Sequence, residues 1–186
     1  MMFIKTTIFI LISLTISIKA NSNQSSIDLL KEGGKLIFIR HAIAPGNGDP
    51  ANFDINDCST QRNLNSKGRK QALMIKSFFK ENQISIYKVV SSEWCRCKET
   101  ASIIFENKYK TKSFLNSFYS KKFSKNKKNQ ITQLKKYVSK WNGKKNLILV
   151  THYVVISELL NVYPSSGGIV ISDINYNVVG NLEFNF

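Results

Sequence analysis

The sequence predicts an α/β domain, a three-layer α/β/α sandwich around a mostly parallel central sheet. Three observations lead there. Two uninterrupted apolar runs, Leu36-Ile37-Phe38-Ile39 and Leu147-Ile148-Leu149-Val150, read as strands covered on both faces, as parallel sheets require. Between them lie segments of helical period, with Ala72, Ile75, Phe78 and Phe79 on one stripe and Ile131, Leu134, Val138 and Trp141 on another. Each apolar run also stops abruptly at polar chemistry. The first ends in Arg40-His41, the second in Thr151-His152, and a third, Val89-Val90-Ser91-Ser92, leads within a few residues to Arg96. Ligands of such sheets bind beyond the carboxyl ends of the strands. Arg40, His41, Arg96 and His152 therefore describe one positively charged pocket, suited to a phosphoryl group.

Taken in order, residues 1–20 read as a signal peptide. Lys5 forms the basic start, Ile8 to Ile18 the apolar stretch, and Ile18-Lys19-Ala20 a small-residue cleavage site. Roughly a dozen apolar positions fall short of the about 20 that cross a bilayer. The expectation is an exported, periplasmic or secreted protein starting near Asn21, with residues 21–186 forming one domain and no transmembrane segment in the mature chain. Ser26 reads as a cap for a short lead-in helix. Strand Leu36 to Arg40 follows, then a long loop, Ala42 to Asn65, of the kind that is usually functional or disordered. Asn65 caps a helix over Ser66 to Glu81. Tyr87 to Ser92 is a strand and Cys95 to Glu106 a helix. The lysine-rich stretch beyond is mostly loop until the helix bearing Ile131. The strand ending at Thr151 precedes a short helix to about Asn161, and Gly168 to Asp173 with Asn177 to Phe186 form two closing strands.

The net charge of +15 comes from 23 lysines and four arginines against 12 acids. Eight lysines and no acid fall between Lys108 and Lys128. That run is either a solvated face or an attraction for anionic envelope surfaces or substrates. Lysine without arginine or a recognisable module argues against nucleic acid. With lysine so abundant, two of four arginines at strand ends is an informative allocation, because only the planar guanidinium bonds phosphate bidentately. The cysteines allow a disulfide of Cys58 with Cys95 or Cys97 in an oxidising compartment. No metal-ligand spacing is present, and no cofactor is expected. Gly46-Asn47-Gly48-Asp49-Pro50-Ala51 formally fits a dinucleotide fingerprint, but Pro50 and the aperiodic residues after it oppose the helix that motif needs.

A neutral imidazole can attack phosphorus and hold the phosphoryl group covalently, provided that the non-bridging oxygens are clamped by positioned donors. Four segments carry a resemblance on this point. Ile39-Arg40-His41-Ala42 is similar to the Arg-His-Gly/Ala signature of the histidine phosphatase superfamily. Arg62-Asn63-Leu64 through Gly68 and Gln71-Ala72, Ser91-Ser92 through Arg96 and Thr100-Ala101, and Leu149-Val150-Thr151-His152 resemble that family's other motifs, with order and spacing kept. The resemblance implies His41 as nucleophile and phosphohistidine site, with Arg40, Arg96 and His152 as phosphate clamp. Asn47 falls where some relatives place a phosphate contact. Arg62 either reaches the pocket or pairs near the helix start. The implied activity is a phosphomonoesterase for a small phosphorylated substrate. Exported relatives acting on a phosphorylated envelope sugar share the layout, which makes such a sugar phosphate one option.

The chain departs from the family at the proton donor. No acid lies from Asn107 to Ser157, and Tyr153 follows His152. The candidates left are Glu93 and the loop carboxylates Asp49, Asp54 and Asp57, with Asp57 preferred for its place beside Cys58. If none serves, the alternative is a catalytically weak or inactive binder of a phosphorylated ligand.

Overall fold

The computed structural model describes residues 23–184; the expected signal segment and its cleavage site lie outside them. The described chain opens with helix α1 through residues 23–32, so Ser26 sits inside the helix rather than capping it. Its buried hydroxyl donates to the Asn181 carbonyl. Strands β1 (Leu36–Arg40), β2 (Ile86–Ser91) and β4 (Asn146–Thr151) form the parallel centre of a six-stranded sheet. The short β3 (Lys110–Thr111) extends one side in parallel, while β5 (Ile169–Ser172) and β6 (Val178–Leu182) close the other side antiparallel, in the order β3-β2-β4-β1-β5-β6.

The apolar runs are buried on both faces, and their alternation divides the core in two. Ile37, Ile39, Ile148 and Val150 face one cluster with Leu30 of α1, with Ala72, Ile75 and Phe79 of α2 (Ser66–Glu81), and with Ala101 and Ile104 of α3 (Cys95–Phe105). Leu36, Phe38, Leu147 and Leu149 face the other. There they meet Leu134 and Val138 of α5 (Lys127–Val138) and Val155 and Ile156 of α6 (Tyr153–Leu160). One turn of helix, α4 (Lys121–Ser124), precedes α5. This is the three-layer sandwich that the sequence predicts. The lysine-rich stretch is more ordered than its composition suggests: it contributes β3, α4 and a 3-10 turn, Ser113–Leu115, that buries Phe114 and Leu115. Two-residue strands and single turns are too short to show a period.

Parallel pairing that is regular over the last residues of each strand, beyond a shift at Ile86/Lys88 in β2, aligns the strand ends. Arg40 pairs with Thr151 across β1 and β4, and Ser91 pairs with Val150 across β2 and β4. His41 N–H donates to the Thr151 carbonyl and Ser92 N–H to that of Val150, both at 2.9 Å. The residue after each strand therefore leaves the sheet at the same edge.

The helix-start motif has a steric explanation. The Asn65 side chain caps α2 by accepting from Gly68 N–H. A Cβ at Gly68 would lie 2.0 Å from the Ile43 carbonyl oxygen, so the loop after β1 passes directly over the first helical turn. Gln71 fastens the same loop, accepting from Ile43 N–H while its amide donates to the carbonyls of Ser166 and Phe184. Gly68→Ala should lower stability by about 1–3 kcal/mol through overpacking, visible as a reduced melting temperature, because the obstructing atom is backbone held by Gln71.

Candidate active site

Beyond the strand ends lies a cavity of about 240 Å³ whose walls include His41, Asn47, Asp49, Arg62, Arg96 and His152. His41, Arg96 and His152 are each 2 % exposed. The two imidazole centroids are 5.4 Å apart, and Arg96 lies against both rings. Its Nε is 3.2 Å from His41 Nε2 and its Nη2 is 3.5 Å from His152 Nδ1.

His41 Nδ1 sits 2.9 Å from the Ala42 carbonyl. A carbonyl only accepts, so Nδ1 carries the proton and Nε2 keeps its lone pair, which accepts from Arg96 Nε at the cavity wall. Burial, then the positive charge of Arg96, hold the His41 pKa well below the usual imidazole range, against the raising effect of the Ala42 bond. His152 is lowered well below that range by the same two causes in the same order, with His41 adding to them. Both rings are therefore neutral bases at neutral pH. Thr100 explains its place in the third motif: its hydroxyl accepts from Ala42 N–H and donates to the Arg96 carbonyl, joining the loop after β1 to α3.

The lowered pKa values carry a stability consequence. Below about pH 6.5 the unfolded chain binds protons at two histidines that the fold keeps neutral, so stability falls as pH falls. Chemical denaturation of the ligand-free protein should show a loss approaching 1.4 kcal/mol per histidine per pH unit below that point. His41→Ala should remove about half of this slope.

Arg40 is not on the cavity wall. Its guanidinium lies 5.2 Å from the Tyr153 ring centroid and donates to the Pro164 carbonyl. Its buried Nε has no hydrogen-bond partner among the described residues, which leaves a donor uncommitted next to the site. Arg62 lines the cavity and grips the loop by its carbonyls, donating to those of Gly48, Ala44 and Gly46. It pairs with no carboxylate through its side chain at the helix start; instead its backbone N–H donates to Asp49. Asn47 is exposed at the rim.

The preferred acid is corrected by these positions. Asp57 is exposed and caps the 3-10 turn Cys58–Thr60, accepting from both the N–H and the hydroxyl of Ser59. It lines no part of the cavity. Glu93 points into a neighbouring groove, where Asn116 donates to its carboxylate at 2.7 Å. Asp54 lies in that groove too. Asp49 is the loop carboxylate brought into the cavity. It takes Arg96 in a two-point pair, Oδ1 at 2.8 Å and Oδ2 at 3.2 Å, and also accepts from Trp94 Nε1. Partial burial pushes its pKa up, but Arg96 and these donors outweigh that and hold it below the usual carboxylate value. Trp94 also lines the cavity and Ser92 Oγ lies 3.0 Å from His152 Nε2, although the sequence reading gave neither a role.

Cys58 is joined to Cys95 in a disulfide, and Cys97 remains a buried thiol that burial pushes up to about 12. The bridge ties the loop to the N-terminus of α3, next to Arg96. Closing a separation of 37 residues is worth about 3–4 kcal/mol on chain-entropy grounds.

Comparison with known proteins then decides the family. The sequence model of the histidine phosphatase superfamily (branch 1) matches residues 36–146. The chain belongs to this superfamily. A search of curated proteins finds no significant match. Solved structures of the family share the fold. The protein histidine phosphatase SixA complexed with tungstate is 16 % identical, with 82 % of this chain and 94 % of that one covered at a TM-score of 0.55. Phosphoglycerate mutase from Thermus thermophilus is 13 % identical, with 81 % and 99 % covered at 0.56. A mycobacterial glucosyl-3-phosphoglycerate phosphatase is 14 % identical, with 74 % and 91 % covered at 0.54. At these identities the likeness is one of fold. Members of the superfamily are generally phosphatases or mutases.

Proposed function

We propose that this histidine phosphatase family member is an exported phosphomonoesterase working through a phosphohistidine on His41. The observation that carries the reading is the environment of His41 Nε2: the unprotonated nitrogen of a neutral, oriented ring on the cavity wall, its lone pair held by the buried Arg96 that an incoming phosphoryl group would engage. In the first step Nε2 attacks phosphorus in line with the ester oxygen. The N–P bond forms as the P–O bond breaks, and Arg96 and His152 hold the non-bridging oxygens, with the uncommitted Nε of Arg40 next to the site. Water then attacks the phosphohistidine, the N–P bond breaks, inorganic phosphate leaves and the neutral imidazole returns.

Asp49 supplies the proton. Its carboxylate occupies the same Arg96 fork that an incoming phosphoryl group needs. Displaced, it loses its cation and faces a dianion, and both changes raise its pKa. It then takes a proton from solvent and gives it to the leaving oxygen, while the attacking water of the second step returns its proton to solvent. Asp49→Asn should leave the hydrolysis of p-nitrophenyl phosphate, whose leaving group needs no proton, within about threefold of wild type. It should slow an alkyl phosphate about 100-fold or more. Equal effects on both esters would remove Asp49 from this role. Hydrolysis of either ester by the wild-type protein, lost in His41→Ala, argues against a binding-only role.

Export is supported by the pattern of residues 1–20 and by the Cys58–Cys95 bridge, which persists in oxidising compartments. Among the described residues no helix is long and apolar enough to cross a membrane. The substrate is a small phosphorylated molecule, an envelope sugar phosphate being one option.

A further inference from the structure

The buried side of His152 faces a chain of hydrogen bonds in which the direction of every bond can be assigned. It begins at Asn116, after the 3-10 turn Ser113–Leu115. The backbone N–H of Glu93 can only donate, and it points at Asn116 Oδ1 from 2.9 Å. The carboxylate of Glu93 accepts, and it receives Asn116 Nδ2 at 2.7 Å. The amide orientation of Asn116 is thereby fixed, with its oxygen toward Ser92. Ser92 Oγ lies 3.0 Å from that oxygen, so the one hydroxyl proton of Ser92 goes to Asn116. The lone pairs of Ser92 Oγ are left to accept. One receives Trp94 N–H at 3.2 Å, and the other faces His152 Nε2 at 3.0 Å. Only a protonated Nε2 completes that contact. The sulfur of the protonated Cys97, 3.5 Å from the same nitrogen, adds a weak acceptor in the same direction.

We propose that Asn116, acting through Ser92, is a positioning residue that locks His152 as the Nε2–H tautomer. The two imidazoles are then held as opposite tautomers. His41 is protonated at Nδ1 by its bond to Ala42, and His152 at Nε2 by its bond to Ser92, so both lone pairs converge on Arg96. The chemical consequence falls on the clamp. With Nε2 committed to Ser92, His152 meets a bound phosphoryl group through Nδ1 alone. It donates there once Nδ1 has taken a proton, which the incoming dianion favours. The Asn116 segment is itself held from α5, because Gln130 Nε2 donates to the carbonyls of both Ser113 and Asn116 at 2.9 Å. The consequence for turnover rests on the phosphatase reading; the tautomer does not.

The chain has two histidines, which makes the test direct. In the ligand-free protein labelled with 15N-histidine, long-range 1H–15N spectra should show one ring in each tautomer, with the Nδ1–H set disappearing in His41→Ala. Asn116→Ala should shift the His152 ring toward a mixture and lower kcat/KM for p-nitrophenyl phosphate about 10- to 100-fold, the usual cost of removing an outer partner that orients a site imidazole. Asn116→Asp combined with Glu93→Gln reverses the bond between these two side chains, the Gln amide donating to the Asp carboxylate, but keeps an oxygen that accepts from Ser92, and should restore both the tautomer and the rate. Two rings of the Nδ1–H form in wild type would overturn the proposal, as would a His152 tautomer unchanged by Asn116→Ala. Absence of turnover in a wild-type protein that shows the opposite tautomers would instead overturn the phosphatase reading.

Discussion

Alanine in place of His41 is expected to lower turnover of p-nitrophenyl phosphate about 10⁴-fold or more. Removal of a covalent nucleophile leaves only the residual acceleration of the binding groups. The fold should survive, because His41 follows β1 rather than lying within it, and its backbone carries the local bonds. Its N–H donates to Thr151 and its carbonyl accepts from Gly167. Alanine keeps both. The variant should still bind inorganic phosphate, since Arg96 and His152 remain, and it should melt at or above the wild-type temperature in mild acid, where wild-type His41 is an unfavourable neutral base. Circular dichroism, phosphate titration and steady-state rates together separate loss of the nucleophile from loss of structure.

Lysine in place of Arg96 is expected to cost about 10²- to 10³-fold in kcat/KM, as loss of a preorganised donor to a developing oxyanion does. Charge is conserved, so a purely electrostatic role would predict a small effect. The geometry predicts a large one. Arg96 uses Nε toward His41, Nη2 toward His152, and both Nη atoms toward Asp49. A lysine ammonium is a single point that cannot make these contacts together. The same substitution should release Asp49, which would then titrate nearer its ordinary value. The activity profile of Arg96→Lys should therefore differ in shape as well as height. A drop under about threefold would show that the fork geometry is not used.

The parts of this site that were legible in the sequence are those fixed by strand ends. Leu36 to Ile39 and Leu147 to Val150 are apolar without interruption because helices cover both faces, and in-register pairing carries His41 and His152 to one edge. Arg96 follows because a helix begins just after β2 ends. Gly68, Gln71 and Thr100 were visible as motif positions, and their reason is the close passage of the loop after His41. The proposed proton donor was not legible. Asp49, Asp54 and Asp57 share one long loop, and which carboxylate turns inward is settled by tertiary contacts: Arg62 gripping three carbonyls, and the Cys58–Cys95 bridge drawing the loop over α3. Proximity of Asp57 to the cysteine was a poor guide, since the bridge fixes backbone and leaves that side chain in solvent. Asn116 gave no signal because it lies in a stretch dominated by lysine, 24 residues from its partner Ser92. The cysteine choice was open for a local reason. Cys95 begins α3 facing the loop, whereas Cys97 turns to the core beside His152.

The most direct test of the central claim is to quench the wild-type protein during hydrolysis of p-nitrophenyl phosphate and locate any bound phosphate by peptide mass spectrometry. The account predicts an acid-labile, base-stable phosphate on the peptide containing His41, absent from His41→Ala. Phosphate found on a serine or aspartate, or steady turnover persisting in His41→Ala, would contradict it.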